Sequence, residues 1–417
     1  MDKMVVKGGA KLLGQASVGG AKNSALILMF ASLLAEGKHC LKNVPDLMDV
    51  RSAKLLLEAL NCDVTFESNE LTINVKKPKE LVADYELVRK MRASILCLGP
   101  MLSKYGKAKV SLPGGCAIGS RPINLHLEAM RAMGAEISID QGYVYAECKR
   151  LQGTEILFEF ATVGGTENVM MAACLAEGTT TIENAAKEPE IVDLANYLNA
   201  MGAKVKGAGS SIITIEGVEK LSAAEHTVIP DRIEAGTLVI AGAITGGEIQ
   251  VTNCEPLHIE SLLSKLRDCG VGLHVESQAI TVKGSKSWRA VDITTSPHPG
   301  FPTDLQAQFM AFMTMAEGTS VISETVFENR FMHVNELIRM NADITPKTRV
   351  AVVRGREDGL IGAPVMATDL RASACLVLAG LAAKGETVVN RIYHLDRGYE
   401  KLEEKLSNLG AEIKRTK

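Results

Sequence analysis

The sequence predicts an α/β protein of two inside-out domains, each built from three βαβαββ-type repeats with buried helices and outer sheets. Three observations carry this. A chain of 417 residues points to two or three domains, with enough apolar residues (46%) to fill large cores. One pattern of helix, glycine and strand recurs six times along it, at steps of 67 to 73 residues. Its first helix is apolar on nearly every side while its strands alternate, the reverse of a doubly wound protein.

Each repeat opens on the apolar helix. ALILMFASLLA (25–35), VMMAACLA (169–176), TLVIAGAIT (237–245) and ASACLVLAGLAA (372–383) leave no polar stripe to face water. A glycine follows, at Gly37, Gly106, Gly178, Gly247, Gly318 and Gly385. After a strand and a loop comes an amphipathic helix that runs into a small residue and a second strand. LLLEALNCDVTF (55–66), LEAMRAMGAEISI (127–139), LANYLNAMGAKV (194–205), LLSKLRDCGVGLHV (262–275), HVNELIRMNADI (333–344) and LEEKLSNLGAEI (402–413) are its six instances. The last strands alternate: Leu71, Ile73 and Val75 against Thr72 and Asn74, then Ile213 and Ile215 against Thr214 and Glu216. One face is wet and one dry.

Five repeats continue past this point into a further strand, such as ITVKGS (280–285) or VAVVRG (350–355), whereas the sixth stops at AEIKRTK (411–417). MVVKGG (4–9), near the N-terminus, has the missing character. Residues 1 to about 20 are therefore expected to complete the last repeat. This makes a discontinuous domain of 1–20 plus 230–417 and an inserted domain of 21–229 that carries a loop around Cys116. Two crossings, near Gly19-Gly20 and Ile229-Pro230, would permit hinge closure over a ligand in the cleft.

Composition narrows the function. With 46 basic and 49 acidic residues the net charge is −3, which lacks the basic excess of a nucleic-acid protein. The start, Met1-Asp2-Lys3-Met4-Val5-Val6, has no signal-peptide stretch. Ala25 to Ala35 falls short of the ~20 residues that span a bilayer, so no membrane partner is expected. Nine cysteines without regular spacing suggest free thiols and a cytoplasmic location. Walker A, G-x-G-x-x-G, H-E-x-x-H and paired C-x-x-C motifs are missing and the eight histidines show no ligand spacing, so neither metal nor cofactor is expected.

The chemistry gathers at the starts of the buried helices: Lys22-Asn23-Ser24, Arg92-Ala93-Ser94, Thr162-Val163-Gly164-Gly165-Thr166, Arg232-Ile233-Glu234, Thr303-Asp304 and Arg371-Ala372-Ser373. MRASILCL (91–98) and LRASACLVL (370–378) are nearly one phrase. A helix start already carries unpaired N–H groups and partial positive charge. Lys22, Arg92, Arg232 and Arg371 oppose that dipole unless an anion is bound, so together they favour an anion site over solvated caps. Arg121, Arg330 and Arg397, in loops before the amphipathic helices, suit phosphate or carboxylate. In the loop 112–121, three glycines and a proline surround Cys116, five residues before Arg121, and a nearby cation raises the thiolate fraction. Asp304 reads as a base or as a helix N-cap. The target is a small polyanion.

GAKNSA (20–25), MRAS (91–94), LPGGCAIGSRPINLH (112–126), PDRIEAGT (230–237), FPTDLQAQF (301–309), ETVFENRFMH (324–333), ATDLRAS (367–373) and RIYHLDRGYE (391–400) run nearly end to end. Together they resemble the family of UDP-N-acetylglucosamine 1-carboxyvinyltransferases, which are enolpyruvyl transferases of inside-out fold. The resemblance implies transfer of the enolpyruvyl group of phosphoenolpyruvate to the 3′-hydroxyl of UDP-N-acetylglucosamine with release of phosphate, the first committed step of peptidoglycan synthesis.

It further implies Cys116 as general acid and site of a covalent phosphoenolpyruvate adduct, with Asp304 contacting the sugar hydroxyl as a candidate base. Lys22, Asn23, Arg121, Arg330, Arg371 and Arg397 match phosphoenolpyruvate ligands. Asn23, Arg92, Arg121, Pro122, Ile123, Asn124, Leu125, Val163, Gly164, Asp304 and Val326 match nucleotide-sugar contacts. Fosfomycin, an epoxide phosphonate, is expected to alkylate Cys116. Some members carry Lys and Ser where this chain has Phe160 and Thr162, so a lysine contact to the diphosphate is lost, while the Val163 and Gly164 amides remain. The alternatives are a shikimate 3-phosphate enolpyruvyl transferase, which lacks the Cys-bearing loop, and a non-catalytic repeat scaffold, which leaves the cations and Cys116 unexplained.

Overall fold

A computed structural model describes residues 2–89, 91–113 and 123–417. The described residues fall into two compact units, one of 2–19 with 230–417 and the other running from 20 to 229. Each unit has its own apolar core and three four-stranded sheets.

Every sheet has one plan: an edge strand parallel to its neighbour, then two further strands, each antiparallel to the one before it. In the 20–229 unit the three plans are Glu225–Thr227 beside Gly37–Lys42, Val82–Ala83 beside Lys107–Ser111, and Glu155–Leu157 beside Thr179–Glu183. In the other unit the edge strands are Leu13–Ser17, Ile293–Thr294 and Pro364–Met366. Lys3–Lys7 pairs antiparallel with both Glu386–Asn390 and Glu412–Thr416, so it fills the gap in the sixth repeat.

Residues 13–17 depart from the expectation that everything up to about 20 completes that repeat. They lie parallel to Glu248–Thr252, in register from Leu13 against Glu248 to Ser17 against Thr252. The reason is an exchange at the two crossings. In four sheets the edge strand comes from the segment just before that repeat's own apolar helix, but in the first and fourth the two are swapped. Leu13–Ser17, which precedes Lys22–Ala31, joins Glu248–Thr252, and Glu225–Thr227, which precedes Arg232–Ile244, joins Gly37–Lys42.

The apolar helices sit inside, as their composition demands. In Arg232–Ile244 every residue from Ile233 onward is buried, and in Leu370–Ala382 burial runs unbroken from Arg371 to Leu381. These two pack on each other and on Gln306–Met313. In the other unit Lys22–Ala31 meets the Arg92–Cys97 turn, and Leu98–Tyr105 meets Val163–Ala173. Each buried Leu, Ile or Phe contributes roughly 1.5–3 kcal/mol. The amphipathic helices, such as Met48–Ala59, Pro189–Ala200 and Glu260–Cys269, cover the core with one face.

All six amphipathic helices stop at a left-handed residue: Asn61, Gly134, Gly202, Gly270, Asn341 and Gly410, with φ from 67° to 101°. Only Gly and Asn take that conformation cheaply, which turns the chain back into its strand. After the apolar helices the left-handed residue of the fourth repeat is Gly246, at φ 63°, not Gly247. Gly247 is small for another reason: a Cβ there would lie 2.1 Å from the Leu12 carbonyl oxygen. No helix among the described residues is long and apolar enough to cross a membrane.

Candidate active site

In the discontinuous unit the site grows from the Thr303–Leu305 turn, which leads into Gln306–Met313. Asp304 does not act as an N-cap there. Its carboxylate accepts from Arg330 Nη2 at 2.6 Å and from Arg371 Nη2 at 2.8 Å, one guanidinium on each oxygen. Burial alone would raise the Asp304 carboxyl, but Arg371 and Arg330 outweigh it and hold it far below the usual carboxylate range.

Arg371 is the second residue of Leu370–Ala382, and Asp369 caps that helix by accepting from the Arg371 and Ala372 amides at 2.7 and 3.0 Å. Its guanidinium carbon lies 5.5 Å from the Tyr399 ring centroid, and Tyr399 is held by Thr237 and Gln308. Among the described residues Arg371 Nε and Nη1 are buried without a hydrogen-bond partner. Two donors of a buried cation thus await an acceptor, an arrangement suited to an anionic ligand.

Arg397 ends the turn Ile392–Arg397 and is half-buried. Burial first, then Arg391 and Arg397, lowers the pKa of its neighbour His394, with Asp369 opposing. The Val326 side chain is exposed while its amide donates to Glu324 Oε1 at 2.9 Å.

In the inserted unit Lys22 is the first residue of Lys22–Ala31 and lies buried, with Nζ 2.7 Å from the Asp49 carboxylate. Asn23 is exposed, and the next residue, Ser24, donates to buried Asp193. Arg92 is half-buried at the head of its turn. Ile123 and Leu125 turn their side chains into the core, so what they offer a ligand is backbone, whereas Asn124 is exposed at the start of Asn124–Ala132. Thr162 caps Val163–Ala173 by accepting from the Gly165 amide at 3.3 Å, and its carbonyl takes the Thr166 amide. The Val163 and Gly164 amides precede the helix ladder. Phe160 is exposed. Cys116, Arg121 and Pro122 lie outside the described residues.

The structure therefore brings Asp304, Arg330 and Arg371 together. It also corrects the picture of cations waiting at equivalent helix starts. Lys22 and Arg232 are first in their helices, Arg371 is second, and Arg92 heads a 3₁₀ turn. Carboxylates of the chain itself already answer the charge: Asp49 at Lys22, Asp304 and Asp369 at Arg371, and Asp231 as cap of Arg232–Ile244. A protein carboxylate relieves the dipole conflict as well as a ligand does. Asp49 was missed because an acid in the first turn of an amphipathic helix looks like an ordinary dipole partner.

A family model described as EPSP synthase (3-phosphoshikimate 1-carboxyvinyltransferase) matches residues 6–406. A UDP-N-acetylglucosamine 1-carboxyvinyltransferase of Bdellovibrio bacteriovorus is 64% identical over 412 residues, covering 99% of this chain and all of that one. One from Thermodesulfovibrio yellowstonii is 56% identical over 419 residues, with both chains fully covered. The crystal structure of the enolpyruvyl transferase NikO from Streptomyces tendae superposes with a TM-score of 0.89 at 25% identity, over 100% of this chain and 99% of that one. EPSP synthase from Acinetobacter baumannii shares the fold, with a TM-score of 0.77 at 18% identity over the whole of both chains. With full-length relatives this similar and the same two-unit repeat architecture, the chain belongs to the enolpyruvyl (1-carboxyvinyl) transferase family.

Proposed function

We propose that this protein is a transferase that moves the enolpyruvyl group of phosphoenolpyruvate onto the 3′-hydroxyl of UDP-N-acetylglucosamine and releases phosphate, the entry step of peptidoglycan synthesis. The observation that carries this reading is the end-to-end similarity, at 64% identity, to a relative of that name. The shikimate 3-phosphate reading rests on the family model's description, which covers the wider family.

The reaction needs a proton delivered to C3 of the enol, so that C2 becomes electrophilic, and a proton taken from the sugar hydroxyl as it adds to C2. Phosphate then leaves C2 while a C3 proton is withdrawn, restoring the double bond. Cys116 is our candidate for the C3 proton and for an adduct with phosphoenolpyruvate, which makes it the expected target of fosfomycin. Asp304 is the candidate acceptor of the hydroxyl proton. Clamped by two guanidiniums it is a weak base and a good orienter of a hydroxyl. When substrate anions draw on those guanidiniums, its basicity rises.

Lys22, Arg121 and Arg397 are assigned to the phosphate of phosphoenolpyruvate, with Arg371 and Arg330 supporting its carboxylate. The two Arg371 donors that lack a hydrogen-bond partner among the described residues support that assignment. Asn23, Arg92, 121–125, Val326 and the Val163 and Gly164 amides are assigned to the nucleotide sugar. Both domains, 21–229 and 1–20 with 230–417, would thus serve one reaction. We place it in the cytoplasm, where the free thiols stay reduced.

The test is phosphate release from phosphoenolpyruvate with each acceptor. Release with UDP-N-acetylglucosamine and none with shikimate 3-phosphate is expected. The reverse would install the alternative, and no release with either would leave a scaffold.

A further inference from the structure

Glu324 has no role in the scheme above, yet its carboxylate accepts four hydrogen bonds beside it. It is 1% exposed. Oε1 accepts from Thr295 Oγ1 at 2.8 Å and from the Val326 and Phe327 amides at 2.9 and 3.1 Å, while Oε2 accepts from Thr303 Oγ1 at 2.8 Å. Thr303 is the residue before Asp304, and its hydroxyl also meets Arg330 Nη1 at 2.9 Å.

The hydrogen-bond inventory assigns direction to this chain. A guanidinium only donates and a carboxylate only accepts. The single proton of the Thr303 hydroxyl must then point at Glu324, which turns its lone pairs toward Arg330. Arg330 in turn spends Nη1 on Thr303 and Nη2 on Asp304, a two-point hold on adjacent residues. It also lies over the Phe327 ring, 5.2 Å from the centroid, and the Phe327 amide is held by the same Glu324.

Accepting the roles proposed for Asp304 and Arg330, we propose that Glu324 and Thr303 are positioning residues for the transfer. Glu324 sets the direction of the Thr303 hydroxyl and pins the 326–327 backbone, and Thr303 aims the Arg330 fork at Asp304. Neither side chain needs to touch substrate. The two differ in reach: Thr303 acts on Arg330 alone, whereas Glu324 also holds Val326, a candidate sugar contact.

Steady-state kinetics of Thr303→Val, Thr303→Ser and Glu324→Gln, with unfolding midpoints, test this. Thr303→Val keeps the shape and removes the relay. It is expected to lower kcat about ten- to a hundredfold with both KM values within about twofold. Thr303→Ser restores the hydroxyl and is expected to return kcat to within about threefold of wild type. Glu324→Gln is expected to lower kcat and also to raise the KM for UDP-N-acetylglucosamine, about fivefold or more.

The proposal is overturned if Thr303→Val turns over like wild type, or if serine fails to rescue and activity merely tracks the unfolding midpoint. It is also overturned if Glu324→Gln leaves the sugar KM unmoved. Should wild type itself release no phosphate with this sugar, the functional reading fails and takes the inference with it. An active wild type with an indifferent Thr303→Val sinks the inference alone.

Discussion

Lys22 and Asp49 form a 2.7 Å ion pair whose side chains are only 9% and 5% exposed. A pair this dry owes its contribution to both members being present, because a lone buried charge is costly. Asp49→Asn is therefore expected to destabilise the inserted unit by about 3 kcal/mol, seen as a drop in the urea midpoint. Replacing both, as Lys22→Met with Asp49→Leu, should recover most of that loss. A neutral Asp49→Asn would show that the pair does not hold the fold.

Asp304, with its side chain 26% exposed, is shared between two buried guanidiniums, those of Arg330 and Arg371. Asp304→Asn leaves two guanidiniums facing an amide and should cost about 3 kcal/mol at neutral pH, along with a loss of turnover of a hundredfold or so. The sign with pH follows from a carboxyl held below its ordinary value of 3.8. Its stabilisation is complete above about pH 4 and is lost only as pH falls below that, because the unfolded chain takes up the proton first. Urea midpoints of wild type and variant should stay a constant distance apart from pH 7 to 4 and converge below. A gap that closed between pH 7 and 5 would contradict the clamp.

His333 titrates in the opposite sense from a paired histidine. Burial, with Arg330 adding to it and Asp369 opposing, lowers it from 6.5 to about 4. The folded protein keeps this ring neutral while the unfolded chain protonates, so its stability is intact above pH 6.5 and falls from there toward pH 4. Between pH 7.5 and 5 the loss should reach about 2 kcal/mol, and His333→Gln should remove that slope. Parallel pH profiles for the two proteins would refute it.

Cysteine chemistry should be selective. Burial, the largest cause in each case, pushes Cys62, Cys97, Cys174 and Cys269 up to about 12 and Cys254 to about 11. Thiols this far from ionisation react slowly at neutral pH. Incubation with fosfomycin is expected to add one equivalent, mapped by peptide mass to Cys116, and Cys116→Ser should take up none. Labelling spread over the other cysteines would defeat the assignment.

Much of the architecture was legible before any coordinate. Residues 25–35 or 237–245 have no polar side to turn to water, so they had to be interior, and the alternation of 71–75 or 212–216 had to make a sheet with one wet face. The turn residues Asn61, Gly134, Gly202, Gly270, Asn341 and Gly410 mark the repeat because few side chains tolerate a positive φ. The partner of Leu13–Ser17 was not legible. A strand's sequence states which face is buried but not which neighbour it joins, and here the neighbour is more than 230 residues away.

The site divides along the same line. Residue type and position marked Arg371 and Asp304, at the starts of buried helices, and Arg330, in a loop before an amphipathic helix, as candidates among several. That they share one ion cluster, that Asp49 answers Lys22, and that Glu324 stands behind Thr303 were decided by the tertiary structure. Local sequence governs what can be buried and how the chain bends. The partner of a buried charge is chosen by packing between segments far apart in the chain, and spacing along the chain carries no record of that distance.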